Sequence, residues 1–114
     1  MKQLNKIIGN AGELEAFSYL KKNKYKVLTV NYKTIVGEID IIAQEKDIIV
    51  FIEVKKRETY LFGRPSEAVG VSKQQKIRKT ALYYLKQYKL LDKQCRFDII
   101  EIVGNNLNHI KDAF

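Results

Sequence analysis

Two nearly continuous apolar stretches, Glu38 to Gln44 and Ile48 to Lys55, are parted by only Glu45-Lys46-Asp47, and this constrains the fold more than any other feature of the chain. A connection that short makes an antiparallel hairpin the simplest arrangement. With the turn centred between Lys46 and Asp47, Asp40 stands opposite Glu53 on one face of the sheet, and alternation puts Lys55 on that face too. Opposed carboxylates on neighbouring strands have Cβ atoms about 4.5 to 5.5 Å apart and repel one another unless something neutralises them. Ile42 and Phe51 share this face, so it is apolar as well as charged, and charge taken out of water needs a partner.

A divalent cation would neutralise the pair. Magnesium prefers oxygen donors and typically takes one or two protein carboxylates, leaving its other positions to water and phosphate. Asp40 and Glu53 suit that role. Lys55, two residues further along, could contact a scissile phosphate and stabilise the charge that builds up as a metal-activated water attacks phosphorus. The outline is that of a metal-dependent phosphodiester-cleaving site. The alternative is that Glu38, Asp40, Glu53 and Lys55 form a salt-bridged, solvated sheet face. Glu38 fits that alternative better than Asp40 does, because the same register sets it against Lys55.

Around the hairpin, Ile7, Ala11 and Leu14, with Ala16, Phe17 and Leu20, mark an amphipathic helix from Ile7 to Lys22. Tyr25 to Tyr32 reads as a strand and Lys33 to Val36 as a loop. Lys56 to Gly70, which holds the only proline, reads as a longer loop. Ser72 with Gln75 forms a capping-box pattern for a second helix, whose apolar face is Ile77, Ala81, Leu85 and Tyr88 and which ends about Gln87 to Lys89. Arg96 to Val103 reads as a strand, Gly104-Asn105-Asn106 as a turn, and Leu107 to Ile110 as a short edge strand. The order is helix, three strands, helix, one or two strands: a single α/β domain over residues 1–114.

The 21 Lys and Arg against 13 Asp and Glu give a net charge of +8, a field that attracts polyanions and makes nucleic acid the default partner. Lys56, Arg57, Arg64 and Lys73 are the candidate contacts, Lys73 foremost because helix N-termini attract anions. Cys95 is the only cysteine, which excludes an intrachain disulfide and a multi-cysteine zinc site and suits a reducing cytoplasm. The longest apolar run, Ile48 to Ile52, is too short to span a bilayer, and residues 1–10 lack the apolar core of a signal peptide. His109, Asp98 beside Arg96, and Tyr83, Tyr84 and Tyr88 are read as structural.

Taken together, Gly9-x-x-Gly12-Glu13, Gly37-Glu38-Ile39-Asp40, Phe51-Ile52-Glu53-Val54-Lys55-Lys56-Arg57, Phe62-Gly63-Arg64-Pro65, Arg96-Phe97-Asp98 and the closing His109 to Phe114 resemble the YraN-like family of small bacterial proteins. The likeness runs over nearly the whole chain. It implies a restriction-endonuclease-like mixed sheet flanked by helices, and it is similar to archaeal Holliday-junction resolvases in its Glu, Asp, Glu-x-Lys arrangement. Carried over residue by residue, it makes Asp40 and Glu53 the metal ligands, completed by the main-chain carbonyl of Val54. Lys55 becomes the catalytic lysine and Glu13 the helical acidic partner. The expectation is a magnesium- or manganese-dependent endonuclease acting on DNA, branched DNA by analogy, and a homodimer with two active sites. The rivals are a nucleic-acid-binding module without catalysis and an accessory protein whose carboxylates bind metal to hold a partner complex together.

Overall fold

The computed structural model describes residues 10–114. The elements run α1 (Ala11–Lys22), β1 (Lys26–Thr34), β2 (Gly37–Glu45), β3 (Ile48–Arg57), a 3₁₀ turn (Pro65–Ala68), α2 (Val71–Gln87), β4 (Gln94–Val103) and β5 (Asn106–Ile110). All five strands form one sheet in sequence order. The pairs β1/β2, β2/β3 and β4/β5 are antiparallel, whereas β3/β4 is parallel, with α2 in the crossover between them. This is the mixed sheet flanked by helices expected from the sequence, an α/β architecture compatible with a restriction-endonuclease-like fold.

Strand alternation divides the core in two. Ile42, Ile49, Phe51 and Phe97 pack with Ile77, Ala81 and Tyr84 of α2 on one face. Ile41, Val50, Ile52, Ile100 and Ile102 pack with Ala16 and Leu20 of α1 on the other. Because β2, β3 and β4 are covered on both faces, they read as apolar runs rather than as alternating patterns. Among the described residues no helix is long and apolar enough to cross a membrane.

Three details differ from the sequence reading. The buried stripe of α1 is Gly12, Glu13, Ala16, Phe17 and Leu20, while Ala11 is exposed; Ile7 and Gly9 lie outside the described residues. The 13, 16, 17, 20 spacing therefore carries a carboxylate in the core-facing stripe. At the start of α2 the expected capping box does not form: Gly70 is the N-cap, no side chain caps it, and Ser72 already lies inside the first turn, too late to cap it. Tyr88 follows the last turn of α2 and is half exposed against Tyr84, rather than part of the core face.

The loop after β3 is tied down by a residue that the sequence reading passes over. Glu101 of β4 is buried, accepts from the Ser66 N–H at 3.1 Å and from Asn108 Nδ2 at 3.2 Å, and pairs with Arg64. Burial opposes its charge, but Arg64, Asn108 and Ser66 outweigh that and hold its carboxyl down to about 2. A group held below its unfolded value stabilises the fold above the ordinary carboxylate range near 4, and that stabilisation drains away as pH falls through the folded value. Urea unfolding should therefore show Glu101→Gln to be less stable by about 1 to 3 kcal/mol at pH 7, with the gap closing between about pH 4 and 2. A gap independent of pH would show that the carboxylate's charge is not what anchors the loop.

Candidate metal and nucleic-acid site

The β2/β3 ladder follows the expected register from Glu45↔Ile48 to Ile41↔Ile52 and ends there. Strand β3 continues, still paired to β4 as far as Arg57↔Val103. Two residues past Ile52, the Val54 N–H donates instead to Asp40 Oδ2 at 2.8 Å. The strands part at this point because a side chain takes the place of a backbone partner, and the gap holds the two carboxylates.

Glu53 is buried and Asp40 partly so, and the two carboxyl groups lie close enough to perturb one another. Burial first, then Glu53, pushes the Asp40 carboxyl up to about 8, while the Val54 N–H pulls the other way and Glu13 adds to the rise. Two carboxyls this close share a proton unless a cation replaces it. Lys73, in the first turn of α2, places its Nζ 2.5 Å from Glu53 Oε2. It also lies beside Lys55, whose ammonium is disfavoured by burial and then by Lys73, so that its pKa is lowered. Burial opposes the charge of Lys73 as well, but contact with Glu53 overrides this and raises its pKa.

Glu13 is buried at the start of α1, where its N–H donates to Asn10 Oδ1 at 2.8 Å and its Oε2 accepts from Asn10 Nδ2 at 3.1 Å. Its field reaches Asp40 from the other face of the sheet. Gly12 sets the distance, because a Cβ there would stand 3.1 Å from Lys56 Cβ and 3.3 Å from Asn10 Oδ1. Gly12→Ala should push α1 off β3 and cost about 1 to 3 kcal/mol of stability. An unchanged unfolding midpoint would show that the helix tolerates the extra carbon where it stands.

Asp40, Glu53, Lys55 and Lys73 are thus brought together, with Glu13 behind them and Val54 in the strand between. Among the described residues no three His, Cys, Asp or Glu side chains converge on one point; Asp40 and Glu53 are the two carboxylates that β2 and β3 bring together. That donor set fits magnesium or manganese: hard oxygen donors, and crowded acids holding a proton where a cation would relieve them. Glu38 stands apart, exposed and 3.8 Å from Lys33, a solvated surface pair.

The remaining candidate contacts are dispersed. Lys56 pairs with Glu15, Arg64 is engaged with Glu101, and Arg57 is exposed at the end of β3. Lys55, Lys56 and Arg57 line one cleft of about 560 Å³ together with Asn10, Ala11 and Gly12. His109, Asp98 and Arg96 form a separate buried network. His109 Nε2 lies 2.7 Å from Asp98 Oδ2, its Nδ1 lies 2.9 Å from the Tyr19 hydroxyl, and Arg96 Nε donates to Asp98 at 2.9 Å. These residues pack the sheet, as expected of them. The contact between Lys73 and Glu53 was not foreseen, since only the crossover of α2 brings that helix start above β3.

A family model described as "Uncharacterised protein family UPF0102" matches residues 12–102. A UPF0102 protein of Clostridium tetani is 49% identical over all of this chain and 98% of its own length. One from Caldanaerobacter subterraneus subsp. tengcongensis is 48% identical with both chains fully covered, and one from Clostridium acetobutylicum is 45% identical over all of this chain and 91% of its own.

Proposed function

Because the chain belongs to the uncharacterised protein family UPF0102, its chemistry has to be read from its own site, and we propose that it is a magnesium- or manganese-dependent endonuclease hydrolysing DNA phosphodiester bonds. The observation that carries this reading is the Asp40–Glu53 pair at the parting of β2 and β3, with Lys55 and Lys73 beside it. The restriction-endonuclease-like superfamily, and likeness to the Holliday-junction resolvases within it, belong to the same proposal.

Asp40 and Glu53 would hold the metal, joined by the Val54 carbonyl. Bound there, the ion would neutralise both carboxylates, polarise a phosphoryl oxygen and activate the attacking water. The chain's own groups do the rest. The Val54 N–H fixes the rotamer of Asp40, so the carboxylate stays aimed between the strands. Lys55 donates to a non-bridging phosphate oxygen, where negative charge grows in the transition state. Its partial burial reduces competition from water for that contact. Lys73 balances Glu53 in the metal-free protein, and once a cation takes over that role it is free to meet the phosphate. Glu13 supports a water or a second ion from the α1 side. Lys56, Arg57 and Arg64 track the backbone on either side of the cut, contacts that position the substrate without reading its sequence.

A branched substrate, a homodimer with two sites and a cytoplasmic location complete the proposal. The rival, a binding module that does not cut, is favoured by the Lys73–Glu53 pair, which already neutralises one carboxylate. Incubating the protein with labelled single-stranded, duplex, flapped and four-way DNA, in magnesium, manganese or chelator, decides between them. Metal-dependent cutting supports the nuclease, and binding without cutting supports the module. Its mass in solution, alone and with junction DNA, tests the homodimer.

A further inference from the structure

Between β3 and the 3₁₀ turn, three consecutive apolar residues face solvent: Tyr60 is 51% exposed, Leu61 78% and Phe62 95%. Single exposed apolar residues are ordinary, but a run of three on a surface calls for a partner. The loop is built rather than loose. Gly63 adopts φ +91° and returns its N–H to the Tyr60 carbonyl at 2.9 Å, Leu61 N–H donates to Thr59 Oγ1 at 3.1 Å, and Arg64 N–H donates to Glu67 Oε1 at 3.0 Å. A residue with a side chain at position 63 would be strained there, so the turn holds its apolar tip outward by design of its backbone.

The tip adjoins the site. Phe62 lines a cleft of about 320 Å³ together with Arg57, Gly63 and Arg64, and Arg57 also lines the larger cleft that holds Lys55 and Lys56. Among the described residues the only acids on the two clefts are Glu58 and Glu67, and Glu67 Oε1 accepts from the Arg64 backbone N–H. A polyanion leaving Lys55 along Lys56 and Arg57 would therefore run directly to an exposed aromatic ring.

We propose that this turn binds an unpaired nucleobase, stacked on Phe62 with Tyr60 beside it, so that the substrate is nucleic acid with single-stranded nucleotides next to the cut. The inference rests on the nuclease reading and narrows it. Bases in a duplex hide their faces against one another, whereas an unpaired base offers a π-face that an aromatic side chain takes up regardless of sequence. Arg57 supplies the charge for the adjoining phosphate.

Binding measured by fluorescence anisotropy in chelator, where no cutting occurs, tests this with an oligonucleotide as single strand and as blunt duplex. Phe62→Ala is expected to weaken single-strand binding about tenfold, within the range that stacking one base supplies, and to leave duplex binding unchanged. Phe62→Trp should restore it, and a 2-aminopurine base in the strand should lose emission on binding to wild type but not to Phe62→Ala. Unchanged or equal loss on both DNA forms overturns the proposal while leaving the nuclease reading intact. A wild-type dimer that Phe62→Ala turns into a monomer overturns it too, since the patch would then join two copies. If wild type binds neither DNA, both readings fall together.

Discussion

Asp40→Asn is expected to give a metal-free protein more stable than wild type and blind to metal. Asparagine reproduces the protonated aspartic acid: its Oδ1 can still accept from the Val54 N–H, and its Nδ2 can donate to Glu53 where the shared proton was. What it removes is the energetic penalty of a carboxyl whose pKa in the folded state is raised to about 8. The sign follows from linkage. A group raised on folding contributes stability below its unfolded value and loses it as pH rises through the folded value. The advantage of Asp40→Asn should accordingly grow from about pH 4 and level off above about pH 8, with a ceiling of about 5 to 6 kcal/mol set by the rise from the ordinary value to about 8. Manganese should raise the unfolding temperature of wild type, more so as pH approaches 8 because the proton must leave first, and should do nothing for Asp40→Asn. Thermal melts of both proteins from pH 5 to 9, with and without the metal, check this. A variant less stable than wild type throughout would show that the carboxylate stabilises the fold and is not held under strain for function.

The second large effect is on cleavage. Lys55→Ala should cut about a hundredfold to a thousandfold more slowly than wild type under single-turnover conditions, the loss typical of removing one donor aimed at transition-state charge. The fold should survive, because Lys55 is only partly buried and lies next to Lys73, whose charge disfavours its own. DNA affinity should fall only slightly, since one phosphate contact among several is lost. A Lys55→Ala protein that binds tenfold more weakly yet cuts at the wild-type rate once saturated would make Lys55 a binding residue only.

The core of the site was legible because a hairpin with a two-residue turn leaves one register. Asp40, Glu53 and Lys55 followed from counting along two strands, and apolar neighbours on both faces argued that the charges were not solvated. Sequence periodicity could not show that the ladder would end at Ile41↔Ile52, because that depends on Asp40 capturing the Val54 N–H. Nor could it show Lys73 on Glu53, which comes from the parallel crossover of α2 and lies 20 positions away in the chain. Glu101 carried the same signal as Glu53, a lone acid inside an apolar strand, and the same logic applied to Ile99 to Val103 would have found it. Glu13 could have been placed from spacing as well: it repeats with Ala16, Phe17 and Leu20, and only an assumed phase starting at Ile7 hid this. The capping box at Ser72 failed because Gly70 and Val71 are compatible with an earlier start, and a cap motif alone does not fix a helix end to better than one or two residues.

The central claim is that Asp40, Glu53 and Lys55 form one metal-dependent hydrolytic site, and single-turnover cleavage of flapped DNA by wild type, Asp40→Asn and Lys55→Ala, purified side by side, tests it most directly. Wild type should cut in manganese and stop in chelator, while both variants lose at least about a hundredfold and still melt as folded proteins. Equal cutting by all three would mean that the activity belongs to something else in the preparation and would contradict the account.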